Sequence, residues 1–144
     1  ILTDGPRLLL TPTYYVFLLF KEHQAARQLE TLAETQLLRE GAAELPDLSV
    51  SASQAADGSL LLTLANLDDQ RPQELRLYLD GLGAAWPLKV SAQLLSGQTA
   101  GAWAFNSFDQ PCQVQPQLLP VISKGPGELA VTLPEASIAA GKVL

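Results

Sequence analysis

The clearest signal along the chain is alternation of apolar and polar residues, and it begins at Leu48. Leu48, Val50 and Ala52 alternate with Ser49, Ser51 and Ser53, as expected of a half-buried strand. Asp57-Gly58 is a hairpin turn signal, and Ser59 to Asn66 reads as the return strand. Gln73 to Leu79 alternates again, with Leu75, Leu77 and Leu79 set between Glu74, Arg76 and Tyr78. Further strands are predicted over Lys89 to Leu95, Leu129 to Leu133 and Ser137 to Leu144. The polar, proline-rich stretch Trp103 to Val121 reads as a long ordered loop. Short strands separated by turns at this spacing predict an antiparallel β-sandwich.

The first quarter follows a different period. Asp4-Gly5-Pro6 splits two short apolar stretches within Ile1 to Leu10. Thr11-Pro12 is a helix start, with Thr11 as cap and Pro12 at the first helical position. Behind it Tyr15, Val16, Leu19, Phe20 and His23 share one face, which predicts a helix from Pro12 to about Ala26. Arg27 to Leu38 is divided. Its alanine, leucine and glutamate content favours helix, but the resemblance described below places a strand near Gln28 to Thr35.

Composition narrows the function classes. A net charge of −6, from 9 Lys+Arg against 15 Asp+Glu and without a basic cluster, removes the phosphate-neutralising term of nucleic-acid binding. No apolar run approaches the ~20 residues of a membrane helix. Cys112 is the single cysteine, so an internal disulfide or a cysteine-based zinc site is ruled out, and a reducing, cytoplasmic compartment is expected. The chain opens on Ile-Leu-Thr-Asp without Met, which reads as part of a longer polypeptide.

Several segments in collinear order carry a family resemblance. Leu9-Leu10-Thr11-Pro12-Thr13-Tyr14-Tyr15-Val16-Phe17, with Phe20-Lys21 and His23-Gln24, resembles the last barrel strand and helix of glycoside hydrolase family 51. Ser49 to Ser53, Asp57-Gly58 and Leu64 to Asp68 resemble its sandwich domain. Asn106-Ser107-Phe108-Asp109-Gln110-Pro111 and Val131-Thr132-Leu133-Pro134 resemble two further segments of it. The resemblance implies a mainly β fold: a jelly-roll-like antiparallel β-sandwich over 28–144, preceded by one α-helix left from the end of a (β/α)₈ barrel in 1–27. It implies a parent that is an exo-acting, retaining α-L-arabinofuranosidase acting on arabinan or arabinoxylan. It also implies that both catalytic glutamates lie upstream of Ile1, so no catalytic residue is carried over. The expected partners are the parent's catalytic barrel and further copies of the enzyme; no cofactor, metal, nucleic acid or membrane is expected. The family's sandwich borrows a strand from the enzyme's own amino terminus, and without it one sheet edge is expected to stay open.

Candidate chemistry within the chain has a plain structural explanation in each case. Retaining glycoside hydrolysis requires two carboxyl groups roughly 5 Å apart, one with a raised pKa. Glu30 and Glu34 would share a helix face but have no apolar setting, so they read as solvated surface charge. Asp68-Asp69 sits in a Pro-flanked loop and reads as turn chemistry. His23, the single histidine, reads as a packed, hydrogen-bonded helix residue. Cys112 has no cationic neighbour in sequence to make it a reactive thiol. Trp86, Trp103, Tyr78, Phe105 and Phe108 read as core anchors, with a sugar-binding aromatic platform as the competing reading. Asn106 to Pro111 is expected to brace a long loop through its own side chains.

Overall fold

Residues 1–81 and 87–144 are described here by a computed structural model. Its first element is a short hairpin, β1 (Leu2–Asp4) with β2 (Arg7–Leu9), turning at Gly5, whose φ is +55°. Glycine takes that left-handed conformation without the Cβ clash that other residues meet. Helix α1 (Pro12–Phe20) follows, capped by the Thr11 hydroxyl, which accepts from the Tyr14 N–H.

The helix is shorter than its apolar period predicts. It ends at Phe20, gives way to a 3₁₀ turn over Lys21–His23, and the chain reverses at Ala25 with φ +61°. The reversal brings β3 (Arg27–Leu29) antiparallel to β6 (Leu48–Gln54), and sheet pairing outweighs local helical preference there. The strand expected over 28–35 is therefore real only at its start, since residues 30–36 have no regular structure. A separate hairpin, β4 (Leu37–Glu40) with β5 (Ala43–Pro46), completes this stretch.

The later strands are β7 (Leu60–Asn66), β8 (Gln73–Tyr78), β9 (Val90–Ser96), β10 (Gln117–Leu118), β11 (Ile122–Gly125), β12 (Glu128–Leu133) and β13 (Ser137–Val143). They build two main antiparallel sheets. The larger has the order β10-β9-β13-β7-β6-β3 and the smaller β11-β12-β8. The outer side of β8 is unpaired among the described residues.

The two sheets close on one apolar layer. Leu48, Leu64, Ala92 and Ala139 from the large sheet meet Val131 and Leu133 from the small one, with Leu75 and Leu77 beside them. Leu133 is fully buried. The opposite face of the large sheet carries the odd-numbered residues of β7, and α1 lies across it. There Leu19 packs against Leu95 and Val114, with Tyr15, Val16 and Ile138 around them. The molecule is thus mainly β, a sandwich with one helix on its outer face.

Candidate functional site

The long segment between β9 and β11 is the most specifically braced part of the surface. Asn106 is buried at its centre. Its side-chain amide donates to the carbonyls of Leu10 (2.9 Å) and Val114 (2.8 Å), and its oxygen accepts from the Val114 N–H at 2.7 Å. One side chain therefore closes the loop on itself and ties it to the end of β2. Ser107 adds a tight turn by accepting from the Gln110 N–H. The segment is not wholly irregular, as it includes a 3₁₀ stretch at Gln98–Trp103 and the two residues of β10.

A second polar knot joins the turn after β7. Buried Asn66 donates to the Arg71 and Pro134 carbonyls, and buried Asp68 accepts from the Gln70 N–H and from Arg71. Those N–H donors, first that of Gln70, hold the Asp68 carboxyl below the usual carboxylate range. Asp57, in the β6–β7 hairpin, is also held below that range by the Ser59 hydroxyl and then by Lys142. Both carboxylates are poised to stay ionised, which is the opposite of what a general acid requires.

The remaining sequence candidates are dispersed. Glu30 and Glu34 are exposed in the irregular stretch, so the shared helix face does not exist. Asp69 is exposed while its neighbour Asp68 is buried. His23 is half-buried, and its Nδ1 lies 2.7 Å from the Ser53 hydroxyl, which fastens the end of the helical segment to β6. Cys112 is free and exposed. Among the described residues no three His, Cys, Asp or Glu side chains are grouped to hold a metal ion.

The aromatic side chains do not behave as core anchors. Trp103 is 90% exposed, and Phe105 and Tyr78 are also exposed. Phe108 is half-buried beneath the Arg7 guanidinium, 4.8 Å from its ring centre. Trp86 lies outside the described residues. The core is instead aliphatic, and no local pattern separates exposed from buried aromatics in the irregular stretch that holds Trp103, Phe105 and Phe108.

Sequence reasoning missed an open cleft of about 370 Å³ between the C-terminal end of α1 and the outer face of the large sheet. Lys21, Glu22 and His23 form one wall, and Thr63, Ser91, Gln93 and Lys142 rise from the sheet. Their alternation along β7, β9 and β13 was visible, but which face α1 would cover was not.

Comparison with known proteins now decides the family. The model of the α-L-arabinofuranosidase C-terminal domain matches residues 1–137. The chain belongs to that family. An intracellular exo-α-L-arabinofuranosidase of Bacteroides ovatus is 32% identical over 140 residues, which are 96% of this chain and 26% of that protein. The family 51 arabinofuranosidase structure of Xanthomonas axonopodis pv. citri superposes with a TM-score of 0.87 at 33% identity, over 99% of this chain and 28% of that one. The fold is also that of the Thermotoga petrophila family 51 enzyme, with a TM-score of 0.81 at 23% identity, over 99% of this chain and 31% of that one. The α-L-arabinofuranosidase C-terminal domain described here therefore spans under a third of the length of these relatives. Among its described residues no helix is long and apolar enough to cross a membrane.

Proposed function

We propose that this chain is the non-catalytic C-terminal part of an α-L-arabinofuranosidase and that its job is architectural. In this reading residues 1–27 supply the last strand and helix of the parent's (β/α)₈ barrel, and 28–144 form the accessory sandwich packed on it. The parent removes terminal α-L-arabinofuranosyl groups from arabinan or arabinoxylan with retention, using carboxylates outside this chain. It works in the cytoplasm and assembles into oligomers that the sandwich helps to hold.

The observation that carries the reading is an apolar surface without a cover on the first two elements and α1. Ile1, Leu2 and Leu8 are exposed on or beside the hairpin, and Phe17, on the helix, is 75% exposed. Scattered exposed leucines are ordinary, but a run of this size next to a helix whose other face is packed calls for a partner body. The relatives are more than three times longer than this chain, which supplies such a body in the parent. The dispersed carboxylates support the non-catalytic part.

The test compares the purified chain with the full-length polypeptide on an aryl α-L-arabinofuranoside, with native mass measured on both samples. Turnover is expected from the full-length polypeptide alone. Turnover by the isolated chain would sink the reading.

A further inference from the structure

The uncovered apolar residues of the hairpin and α1 all belong to residues 1–27, so they leave the sandwich without a docking face of its own. The loop after β9 supplies one. Around Trp103 the chain alternates. Ala104 packs against the cluster of Leu19, Leu95 and Val114, and Asn106 is buried, whereas Trp103 and Phe105 are 90% and 66% exposed. Ala104 is extended (φ −62°, ψ 136°), so the two rings flank it on the side turned away from the core.

The backbone beneath the rings is tightly built. Gln98 has φ +51°, a left-handed conformation that costs energy for a residue with a Cβ. Gly97 lies so close to Gly101 that an added Cβ would strike the Gly101 carbonyl. The Gly97 and Gly101 carbonyls accept from the Ala100 and Ala104 N–H groups. Rings presented on such a frame can be covered with little further loss of chain entropy. Each aromatic side chain offers roughly 150–250 Å² for burial. Between Gly97 and Pro120 the one charged residue is Asp109, so a protein surface covers this loop without stripping water from a cluster of ions.

The loop is also fastened to both ends of β2. Phe108 lies under the Arg7 guanidinium, and Asn106 donates to the Leu10 carbonyl. Leu8, between these two attachments, is exposed, so the rings continue the uncovered face of the hairpin. We infer that Trp103 and Phe105 anchor the sandwich on the upstream body of the same polypeptide, an inference that rests on the architectural role proposed above. The greater part of the relatives' length lies outside this chain. A body joined through Ile1 is tethered a few residues from Leu8, and so short a link gives an effective concentration on the order of millimolar. A second copy, or a saccharide, reaches the same rings from bulk solution without that advantage.

The test uses the full-length polypeptide. Hydroxyl-radical footprinting read by mass spectrometry is expected to find Trp103 at least fivefold less reactive in the native than in the urea-unfolded polypeptide, with no sugar added. Weaker protection, or protection that requires an added arabino-oligosaccharide, would overturn the inference. Photo-cross-linking then identifies the cover: Trp103→p-benzoylphenylalanine is prepared in light and heavy nitrogen isotopes, and the two samples are mixed after unfolding and refolded together. Cross-links to peptides that precede Ile1 in the same copy are expected. Pairs of mixed isotope would assign the face to a second copy and overturn it, as would the absence of cross-links. Turnover of an aryl arabinofuranoside by the isolated chain would sink the architectural role and leave these cross-links unchanged, so the two failures are told apart.

Discussion

Asn106 reaches back 96 residues to donate a 2.9 Å hydrogen bond to the carbonyl of Leu10, which ends the hairpin segment just before α1. The same side chain makes both of its other bonds to Val114. A loop anchor and an interelement tie are thus one amide group, and the loop cannot loosen without freeing the start of the helix.

Substituting Asn106 with Ala removes the three bonds at once and leaves two carbonyls and one N–H without their partner in a buried place. At ~1–3 kcal/mol for each unsatisfied group, partly relieved by water, a loss of about 3 kcal/mol is expected. Urea unfolding of the full-length polypeptide measures it. Asn106→Asp should cost more, because its carboxylate would face two carbonyl oxygens.

The fully buried Leu133 lies where the two sheets meet. Leu133→Ala is expected to cost about 2–5 kcal/mol, from lost apolar burial and the cavity left behind. A shift of the denaturation midpoint with an unchanged slope would identify it as a loss of packing.

Gly127, in the turn between β11 and β12, has φ +69°, and an added Cβ would lie 2.9 Å from the Leu79 carbonyl oxygen. Its own carbonyl accepts from the Leu79 N–H, so the backbone cannot move away without losing a bond. Gly127→Ala is expected to destabilise by ~1–3 kcal/mol, measured as a lowered melting temperature.

Acid should weaken the fold through two carboxylates. Asp57 and Asp68 both have folded-state pKa values below their ordinary one, so the folded state binds fewer protons than the unfolded state as pH falls. Their contribution is complete above the unfolded value of about 3.9 and disappears as pH drops through the lowered folded values. Stability should accordingly be level through these groups above about pH 5 and decline below about pH 4. Asp68→Asn should flatten that decline. The Asp57–Lys142 share is exposed and should shrink as salt is added.

Glu30→Gln with Glu34→Gln should leave hydrolysis by the full-length polypeptide at the wild-type rate, since both side chains are exposed in an irregular stretch. Steady-state kinetics on an aryl arabinofuranoside checks this; a large fall in kcat would place a reacting carboxyl there.

Most of the sandwich was legible because its strands carry period-two alternation: Leu48–Gln54, Gln73–Tyr78 and Glu128–Leu133 lie within a residue or two of their predicted bounds. The Thr11 cap and Pro12 start were equally local and equally plain. Residues 27–46 were not, because Arg27–Leu29 becomes a strand only by pairing with β6, and no local preference encodes that. The early end of α1 had the same cause, since it depends on the His23–Ser53 contact and the turn at Ala25. The cleft was hidden for a further reason. Thr63, Ser91 and Gln93 are ordinary outward-facing strand residues until the helix roofs one side of them.

Strand β13, residues 137–143, sits in the middle of the large sheet, between β7 and β9. On a ribosome the strands on either side of it are made first, and they wait as two separate half-sheets. β7 and β9 each hold a bare row of amide and carbonyl groups until β13 leaves the exit tunnel and joins them. Such contacts between distant parts of a chain form slowly, and open strand edges attract wrong partners meanwhile. The vulnerable period in the life of this protein is therefore the interval before residues 137–143 emerge from the ribosome, when a pause of translation would favour aggregation over folding.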